Sequence, residues 1–335
     1  MYFLTDYALF LTKTISLVVL ILFTVAGILT LVHKRKPEEE ELIIKKVNQK
    51  YEDFGTLIKK EIYDKKSFKQ HARQLKQEKK ADKTHASHEK RRIYCLSFRG
   101  DIKGSAVENL RQEISALLMV ATPKDEIIIQ IESGGGAVHA YGLAASQLQR
   151  IRDKKILLTA CVDKIAASGG YLMACVADKI LAAPFAIIGS IGVVAQFPNF
   201  NRWLKKNHID FETLTSGEFK RTLTLFGENT EKGRKKFTED LEDVHRIFKE
   251  YITQHRAQVD MASVATGEHW LATKALDLRL VDQLMTSDDY ILQACCNTDV
   301  YEVSLKRKQK LANKLSGALQ TLLHEFYPKR TLEHV

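Results

Sequence analysis

Residues 126–131 read EIIIQI and are followed at once by ESGGG at residues 132–136. A short apolar run bounded by turn residues is typical of a strand that is buried on both faces of a parallel sheet. The glycines allow the chain to turn sharply and leave backbone N–H groups free to face an anion. A phosphate loop would end in Lys-Ser or Lys-Thr, and a dinucleotide motif would space its glycines more widely. Taken alone, these residues predict a tight turn between a strand and a helix.

The segments on either side of this stretch alternate between strand-like and helix-like patterns. Strands are predicted at residues 93–98, 126–131, 156–162 and 179–183, and helices at residues 107–120, 138–151 and 170–177. Alternation of this kind is typical of βαβ units around a mainly parallel sheet. We therefore predict an α/β domain, followed by a long charged helix over residues 231–259.

The positive charge of the chain lies in its flanks. The 335 residues carry a net charge of +10, yet residues 93–300 hold 24 Lys and Arg against 26 Asp and Glu. Residues 34–92 hold 19 Lys and Arg against 11 Asp and Glu. A basic flank beside an apolar segment favours attraction to a membrane surface, and this flank lacks the interleaved aromatic residues of single-strand nucleic-acid binders. We therefore expect a lipid bilayer, and no nucleic acid, as a partner.

The five cysteines do not form a pattern for disulfides or metal. Their number is odd, Cys295 and Cys296 are adjacent, and no Cys-x-x-Cys pair occurs. These features exclude a disulfide scaffold and a zinc or redox site of the Cys-x-x-Cys kind. Since the glycine turn also lacks a nucleotide motif, we expect no cofactor and no metal.

An uncharged stretch near the N-terminus is long enough to cross a membrane. Residues 14–32 contain no charge, and a helix needs about 20 apolar residues to cross the hydrocarbon core. Lys34, Arg35 and Lys36 follow as a stop-transfer flank, so we predict an uncleaved single-pass anchor. The positive-inside rule places this cluster, and with it the bulk of the protein, in the cytoplasm. A periplasmic orientation is the alternative.

The chain divides into four parts by composition. They are a transmembrane anchor with its flanks (1–36), a charged helical stalk or linker (37–92), the α/β domain (93–300) and a basic amphipathic tail (301–335). Apolar residues of the tail share one helical stripe: Leu311, Leu315, Leu319, Leu322 and Phe326. Such a helix lies on a membrane, packs on a neighbouring subunit or caps its own domain, and the sequence leaves these alternatives open.

A second uncharged stretch, residues 180–201, is long enough to be mistaken for a membrane span. It contains Pro184 and Pro198 and divides into two short apolar runs. Short runs interrupted in this way are typical of buried strands. We therefore predict strands here and no second span.

A second glycine turn, AASGGY at residues 166–171, also leads from a strand into a helix. Its serine, Ser168, has an exposed hydroxyl close to the amides that begin the helix. This arrangement suits a nucleophile whose developing oxyanion is bound by backbone N–H groups. Capping the helix is the commonest role of a serine in this position, and the local sequence alone favours that role.

Several motifs taken in order resemble one protein family. The glycine turn at residues 132–136, the SGG at 168–170, the GSIGV at 189–193 and the SGEFK at 216–220 are similar to motifs of the signal peptide peptidase A family of serine–lysine proteases. The resemblance covers roughly residues 93–300. It implies a ClpP/crotonase-like fold of repeated ββα and βαβ units, and a bacterial inner-membrane location.

The resemblance also implies roles for individual residues. Ser168 matches the nucleophile, Lys220 the general base, and Gly135 and Gly169 the positions whose N–H groups form the oxyanion hole. Ser168 would attack a peptide carbonyl, Lys220 would take its proton, and water would release the acyl-enzyme. A lysine acts as a base only when it is neutral, which requires burial or a nearby cation such as Arg221.

The family resemblance has further implications for substrates and assembly. It implies peptides or membrane-protein fragments as substrates, for which the apolar residues 186–197 would suit an extended hydrophobic chain. It also implies rings or domes of identical subunits in which serine and lysine come from neighbouring copies. Ser190 is expected in the wall of the substrate cleft.

The sequence departs from the family at two positions and leaves other functions open. Gly134 stands where relatives commonly have proline, and Arg279 stands where they tend to have glycine. A crotonase-type acyl-CoA enzyme or a catalytically silent membrane scaffold would not depend on Ser168 or Lys220. We expect both His139 and His269 to be structural, and His139 is the next candidate base if the dyad is wrong.

Overall fold

The computed structural model describes residues 2–33, 40–64, 66–69 and 91–307. Of these described residues, 2–33, 40–42 and 305–307 belong to one unit, and 43–64, 66–69 and 91–304 belong to a second, larger unit. The elements in chain order are α1 (Tyr2–His33), β1 (Glu40–Lys46), α2 (Val47–Ile62), β2 (Arg92–Arg99), α3 (Val107–Leu118), β3 (Glu126–Glu132), α4 (Val138–Asp153), β4 (Leu157–Val162), β5 (Ile165–Ala167), α5 (Gly169–Ala174), β6 (Lys179–Ala182), β7 (Ile187–Gly189), α6 (Asn201–Lys206), α7 (Glu231–His255), α8 (Met261–Val264), β8 (His269–Leu271), α9 (Ala272–Asp277), β9 (Gln283–Leu284), α10 (Ser287–Asn297) and β10 (Asp299–Arg307).

Helix α1 is long and apolar enough to cross a membrane. Its residues 5–27 have a mean hydropathy of 2.3 and are not buried by the protein, and it is the one such helix in the described ranges. The hydroxyl groups of Thr14 and Ser16 are satisfied within the helix, since each donates to a carbonyl one turn earlier. The basic cluster at Lys34–Lys36, on which the predicted orientation depends, lies outside the described residues.

A seven-stranded sheet forms the centre of the larger unit. Its order is β1-β10-β2-β3-β4-β6-β9, and every neighbouring pair from β10 to β9 is parallel. The four predicted strands and helices α3 and α4 agree with the sequence prediction within two residues. The expected α/β fold with βαβ units is therefore confirmed. Helices α5 and α7 end three and four residues before their predicted ends.

The core lies on both faces of the central strands, as the apolar run of β3 requires. Ile127, Ile128 and Ile129 are completely buried, which stabilises the fold by about 1.5–3 kcal/mol for each side chain. Ile127 and Ile129 belong to the larger cluster, with Leu110 of α3 and Leu148 of α4. Ile128 belongs to a smaller cluster on the other face. Because side chains on both faces of β3 are buried, this strand lies in the interior of the sheet.

Residues 180–201 form strands over their first half. Strand β6 lies in the large sheet, and β7 lies in a three-stranded sheet of order β5-β7-β8. Strand β7 pairs with β5 in parallel and with β8 antiparallel. Residues 190–200 have no regular secondary structure, and residues 194–200 are exposed. The predicted strands are therefore present to residue 189, and the described part of this stretch contains no membrane-length helix.

Part of the predicted stalk is tied to the edge of the large sheet. Residues 40–62 form β1 and α2, and the Asn48 side chain at the start of α2 bonds to the distant residues 295–300. Its amide donates to the carbonyls of Cys295 and Thr298 at 3.0 and 2.9 Å, and its oxygen accepts from the N–H of Val300 at 2.8 Å. The domain boundaries at 37, 93 and 301 stay predictions. The apolar stripe of the tail, beyond residue 307, lies outside the described residues.

Candidate active site

Ser168 stands in a strained turn between β5 and α5. Its backbone has φ +51° and ψ −119°, a combination that costs a residue with a side chain of order 1–3 kcal/mol. Its N–H donates to the carbonyl of Gly189 at 2.8 Å, which holds the turn in place. The hydroxyl makes no capping bond to the helix that follows. Ser168 thus occupies the N-cap position without performing the capping role, and strain of this kind is concentrated at functional sites.

Backbone hydrogen bonds bring the two glycine turns together. The N–H of Ser133 donates to the carbonyl of Ile165 at 2.9 Å, and the N–H of Ala167 donates to the carbonyl of Ser133 at 3.0 Å. These bonds form an isolated parallel bridge between Ser133, the residue after β3, and Ala166 of β5. Because the ends of parallel strands meet at one edge, the turns that follow them become neighbours.

Gly135 fits against the second turn only because it lacks a side chain. A Cβ built on it would lie 2.7 Å from the N of Gly169 and 2.7 Å from the Cβ of Ser168. Its φ of +89° is also in the region that favours glycine. Three of the four residues predicted for the site, namely Ser168, Gly135 and Gly169, therefore lie together.

A cavity of about 1150 Å³ opens beside this junction. Ser168 and the glycines line it on one side, together with Ser190, the predicted wall residue. Ile247 and Phe248 of α7 also line it. Val193 and Val194, from the segment expected to bind hydrophobic substrates, contribute further apolar wall. A cavity of this size and lining is large enough for an organic ligand or several residues of a peptide.

The contribution of α7 to the cavity was not predicted from the sequence. Val244, Ile247, Phe248 and Tyr251 line the cavity from this helix. Their spacing of three or four residues places them on one face of the helix. The sequence therefore contained this apolar face, but the helix was interpreted only as charged. Tyr141 of α4 also lines the cavity and was not predicted.

The fourth predicted residue, Lys220, is not among the residues that line the cavity with Ser168. Lys220 is exposed, in a stretch from residue 207 to residue 230 without helix or strand. Its backbone N–H donates to the carbonyl of Gly217 at 3.2 Å. No residue from 207 to 226 is buried, so the protein's own core does not fix the position of this lysine. Arg221 is exposed as well.

The histidines considered as alternatives lie away from the cavity wall. His139 and His269 are both exposed and line no part of the cavity. Within the described ranges, no group of three or more His, Cys, Asp or Glu is placed to hold a metal ion.

The chain is similar to known proteins along nearly its whole length. Residues 2–148 match the family described as "Peptidase family S49 N-terminal", and residues 150–300 match "Peptidase family S49". A protein named "Probable protease SohB" from Haemophilus influenzae is 43% identical over 98% of this chain and 97% of its own. A protein of the same name from Buchnera aphidicola subsp. Schlechtendalia chinensis is 45% identical over 87% of this chain and 99% of its own.

Among solved structures, a point mutant of ClpP1 from Listeria monocytogenes covers 58% of this chain and 92% of its own, with 15% identity and a TM-score of 0.40. The family resemblance inferred from the motifs is confirmed by the two family matches and by a relative that aligns over 98% of this chain. The chain belongs to peptidase family S49, a family of proteases.

Proposed function

We propose that the protein is a membrane-anchored serine endopeptidase in which Ser168 is the nucleophile. The observation that carries this proposal is the strained turn of Ser168, which lines a cavity of about 1150 Å³ beside Gly135 and Gly169. A serine held in this way presents its hydroxyl to a bound carbonyl, and membership of a protease family makes a peptide the expected substrate.

The chemistry is acyl transfer through a tetrahedral intermediate. The Oγ of Ser168 attacks the carbonyl carbon of the scissile peptide, and its proton passes to the base. The negative charge that develops on the carbonyl oxygen is bound by the N–H groups of Gly135 and Gly169. Gly169 is the first residue of α5, so its N–H has no partner within the helix. The base then protonates the leaving amine, and water releases the acyl-enzyme. Removal of one such donor typically lowers kcat by about 10²–10³-fold.

Lys220 is proposed as the base, supplied by a neighbouring copy of the chain. Its exposed position is consistent with a residue that acts on another subunit. Leu214 and Phe219 of the same stretch are also exposed, and exposed apolar residues of this kind favour an interface. Burial of the lysine between two copies would favour its neutral form, which is the form that accepts a proton.

The apolar wall of the cavity supports hydrophobic peptides as substrates. Val193, Val194 and Phe248 line the cavity beyond Ser168, so an extended peptide would place apolar side chains against them. Helix α1 would hold the enzyme at the inner membrane, with the catalytic unit in the cytoplasm as the basic flank predicts. Membrane-protein fragments and released hydrophobic peptides are therefore the proposed substrates.

The test is cleavage of casein and of a hydrophobic peptide by the full chain purified in detergent. We expect Ser168→Ala and Lys220→Ala to reduce cleavage at least about 10³-fold, with the oligomer intact by light scattering. Lys206→Ala is the matched control, since it removes another exposed lysine of the same region. Full activity of either site variant would contradict the dyad and turn attention to His139. If both site variants remain active on an acyl-CoA substrate, the crotonase-type alternative is favoured.

Co-expression of the two inactive variants tests whether the site is shared. If serine and lysine come from neighbouring copies, random assembly leaves about a quarter of the sites with both groups, because each heterologous interface draws its two copies independently. About a quarter of wild-type activity should therefore return. If mixed oligomers form and no cleavage activity returns, both groups of the dyad belong to the same chain.

A further inference from the structure

Tyr141 of α4 lies between the two glycine turns of the candidate site. It is 1% exposed, and its ring contacts Gly169 so closely that a methyl group on that glycine would collide with it. The ring also packs edge-on against Phe98, at 6.1 Å between centroids. A Cβ at Gly100 would collide with its hydroxyl. The ring is therefore fixed on several sides, and one of its contacts is with an expected oxyanion donor.

The hydroxyl of Tyr141 belongs to a chain of hydrogen bonds with a single possible direction. It donates to the carbonyl of Asp101 at 2.8 Å, because a carbonyl can only accept. Its one proton is then used, so the hydroxyl of Ser133 must be the donor in the 2.5 Å contact between the two oxygens. With its own proton used, Ser133 Oγ accepts the N–H of Gly135 at 3.1 Å. The relay thus runs from Gly135 through Ser133 and Tyr141 to Asp101.

The surroundings keep this direction fixed. Burial raises the pKa of Tyr141 above its usual value of 10.0, although the bond from Ser133 opposes the rise. Tyr141 therefore keeps its proton throughout the neutral range. Ser133 is itself 2% exposed, so water cannot readily replace a lost partner, and a buried hydrogen-bonding group without a partner is costly.

We infer that Tyr141 is a positioning residue that sets both oxyanion donors at once. Its ring supports Gly169, and its hydroxyl holds Gly135 through Ser133. The inference rests on the proposed function, because it assigns these two N–H groups to the reaction. Tyr141 acts through the glycines, since its own hydroxyl is occupied by Ser133 and Asp101.

In the substrate-free enzyme, Ser133 Oγ takes the place of the oxyanion as the acceptor for Gly135. A charged oxygen is a stronger acceptor than a neutral hydroxyl, by roughly a factor of two in bond strength. The tetrahedral intermediate therefore draws the N–H away from Ser133, while the bond between Ser133 and Tyr141 keeps the turn in its conformation. The donor is prepared before the substrate arrives, and little reorganisation is needed during the reaction.

Tyr141→Phe in the full chain tests the inference, because it removes the hydroxyl and keeps the ring on Gly169. We expect kcat for a hydrophobic peptide to fall about tenfold with KM unchanged, since the lost interaction acts in the transition state. Amide hydrogen exchange of residues 133–136, followed by mass spectrometry, should become about tenfold faster. Both effects should be independent of pH between 6 and 9, since no group of the relay changes its charge there. Ser133→Ala should produce the same pattern, because it removes the hydroxyl that links the turn of Gly135 to Tyr141.

Tyr290→Phe is the matched control. Its hydroxyl donates to Glu126 at 2.7 Å in a partly buried position on α10, and it does not line the cavity. We expect this variant to leave kcat and the exchange of residues 133–136 unchanged.

The outcomes separate this inference from the proposed function. Wild-type kcat and wild-type exchange in both Tyr141→Phe and Ser133→Ala would overturn the relay. A rise in KM with kcat unchanged would also overturn it, because the hydroxyl would then bind substrate. If instead Ser168→Ala cleaves as well as the wild type, the proposed function fails, while hydrogen exchange still decides whether the relay holds Gly135. If Tyr141→Phe does not fold, Ser133→Ala supplies both measurements.

Discussion

The two halves of the proposed catalytic dyad lie in regions of opposite character. Ser168 is held by backbone bonds between strands, beside residues such as Tyr171 that are completely buried. Lys220 lies in a stretch where no residue from 207 to 226 is buried and where Leu214 is 95% exposed. The first region is fixed by the core of a single chain. The second has no such core, although Glu218 and Phe219 contact Lys232 of α7, and the proposed function assigns the remaining positioning of Lys220 to a neighbouring copy.

The largest effect on stability is expected within the buried region, at Arg256. Its guanidinium is 3% exposed and donates to both carboxylate oxygens of Asp282 at 2.8 Å. Asp282 also accepts the N–H of Ile180 at 2.7 Å, so the pair ties the end of α7 to the start of β6. Arg256→Leu leaves that carboxylate without its cation and should lower the free energy of unfolding by about 3 kcal/mol, as for other broken buried pairs.

Urea denaturation of Arg256→Leu beside Arg246→Leu measures this effect. Arg246 lies on the same helix, and its pairs with Asp243 and Glu250 are exposed, so its loss should cost less than about 1 kcal/mol. Equal losses for the two variants would show that the end of α7 is not held by the buried pair. Because α7 lines the cavity, Arg256→Leu should also weaken peptide cleavage.

The same contrast separates what the sequence predicts from what it does not. The strands around Ile128 follow from local apolar patterns, and the parallel sheet follows from their alternation with helices. The strain at Ser168 and the fit of Gly135 against it depend on the meeting of two distant turns, which spacing alone does not reveal. Strand β1 was missed because the apolar residues 42–44 stand within a charged run. The role of Lys220 comes from family resemblance and stays a prediction.

Replacing a glycine by alanine in each region compares the buried surroundings of Ser168 with the exposed surroundings of Lys220. Gly169 has the Tyr141 ring against it, so a methyl group there must displace buried atoms, whereas a methyl group on Gly217 would meet nothing within 4 Å. We expect Gly169→Ala to lower the free energy of unfolding by about 1–3 kcal/mol through overpacking. Gly217→Ala should cost about 1 kcal/mol, because its φ of +98° is unfavourable for alanine. Thermal unfolding of both variants in the same detergent provides the comparison, and a greater loss for Gly217→Ala would contradict it.

The smallest effect on folding is expected at Leu214. A change there tests whether a neighbouring copy contacts the exposed stretch that contains Lys220. Leu214→Ser changes a side chain that is 95% exposed, so the free energy of unfolding should change by less than about 0.5 kcal/mol. If the stretch around Lys220 is covered by a neighbouring copy, the same change should weaken self-association and lower peptide cleavage together. Light scattering and cleavage, measured over a range of protein concentrations, distinguish this effect from misfolding, since activity should recover as the oligomer forms again. An unchanged oligomer and unchanged cleavage would show that Leu214 is not part of the contact that positions Lys220.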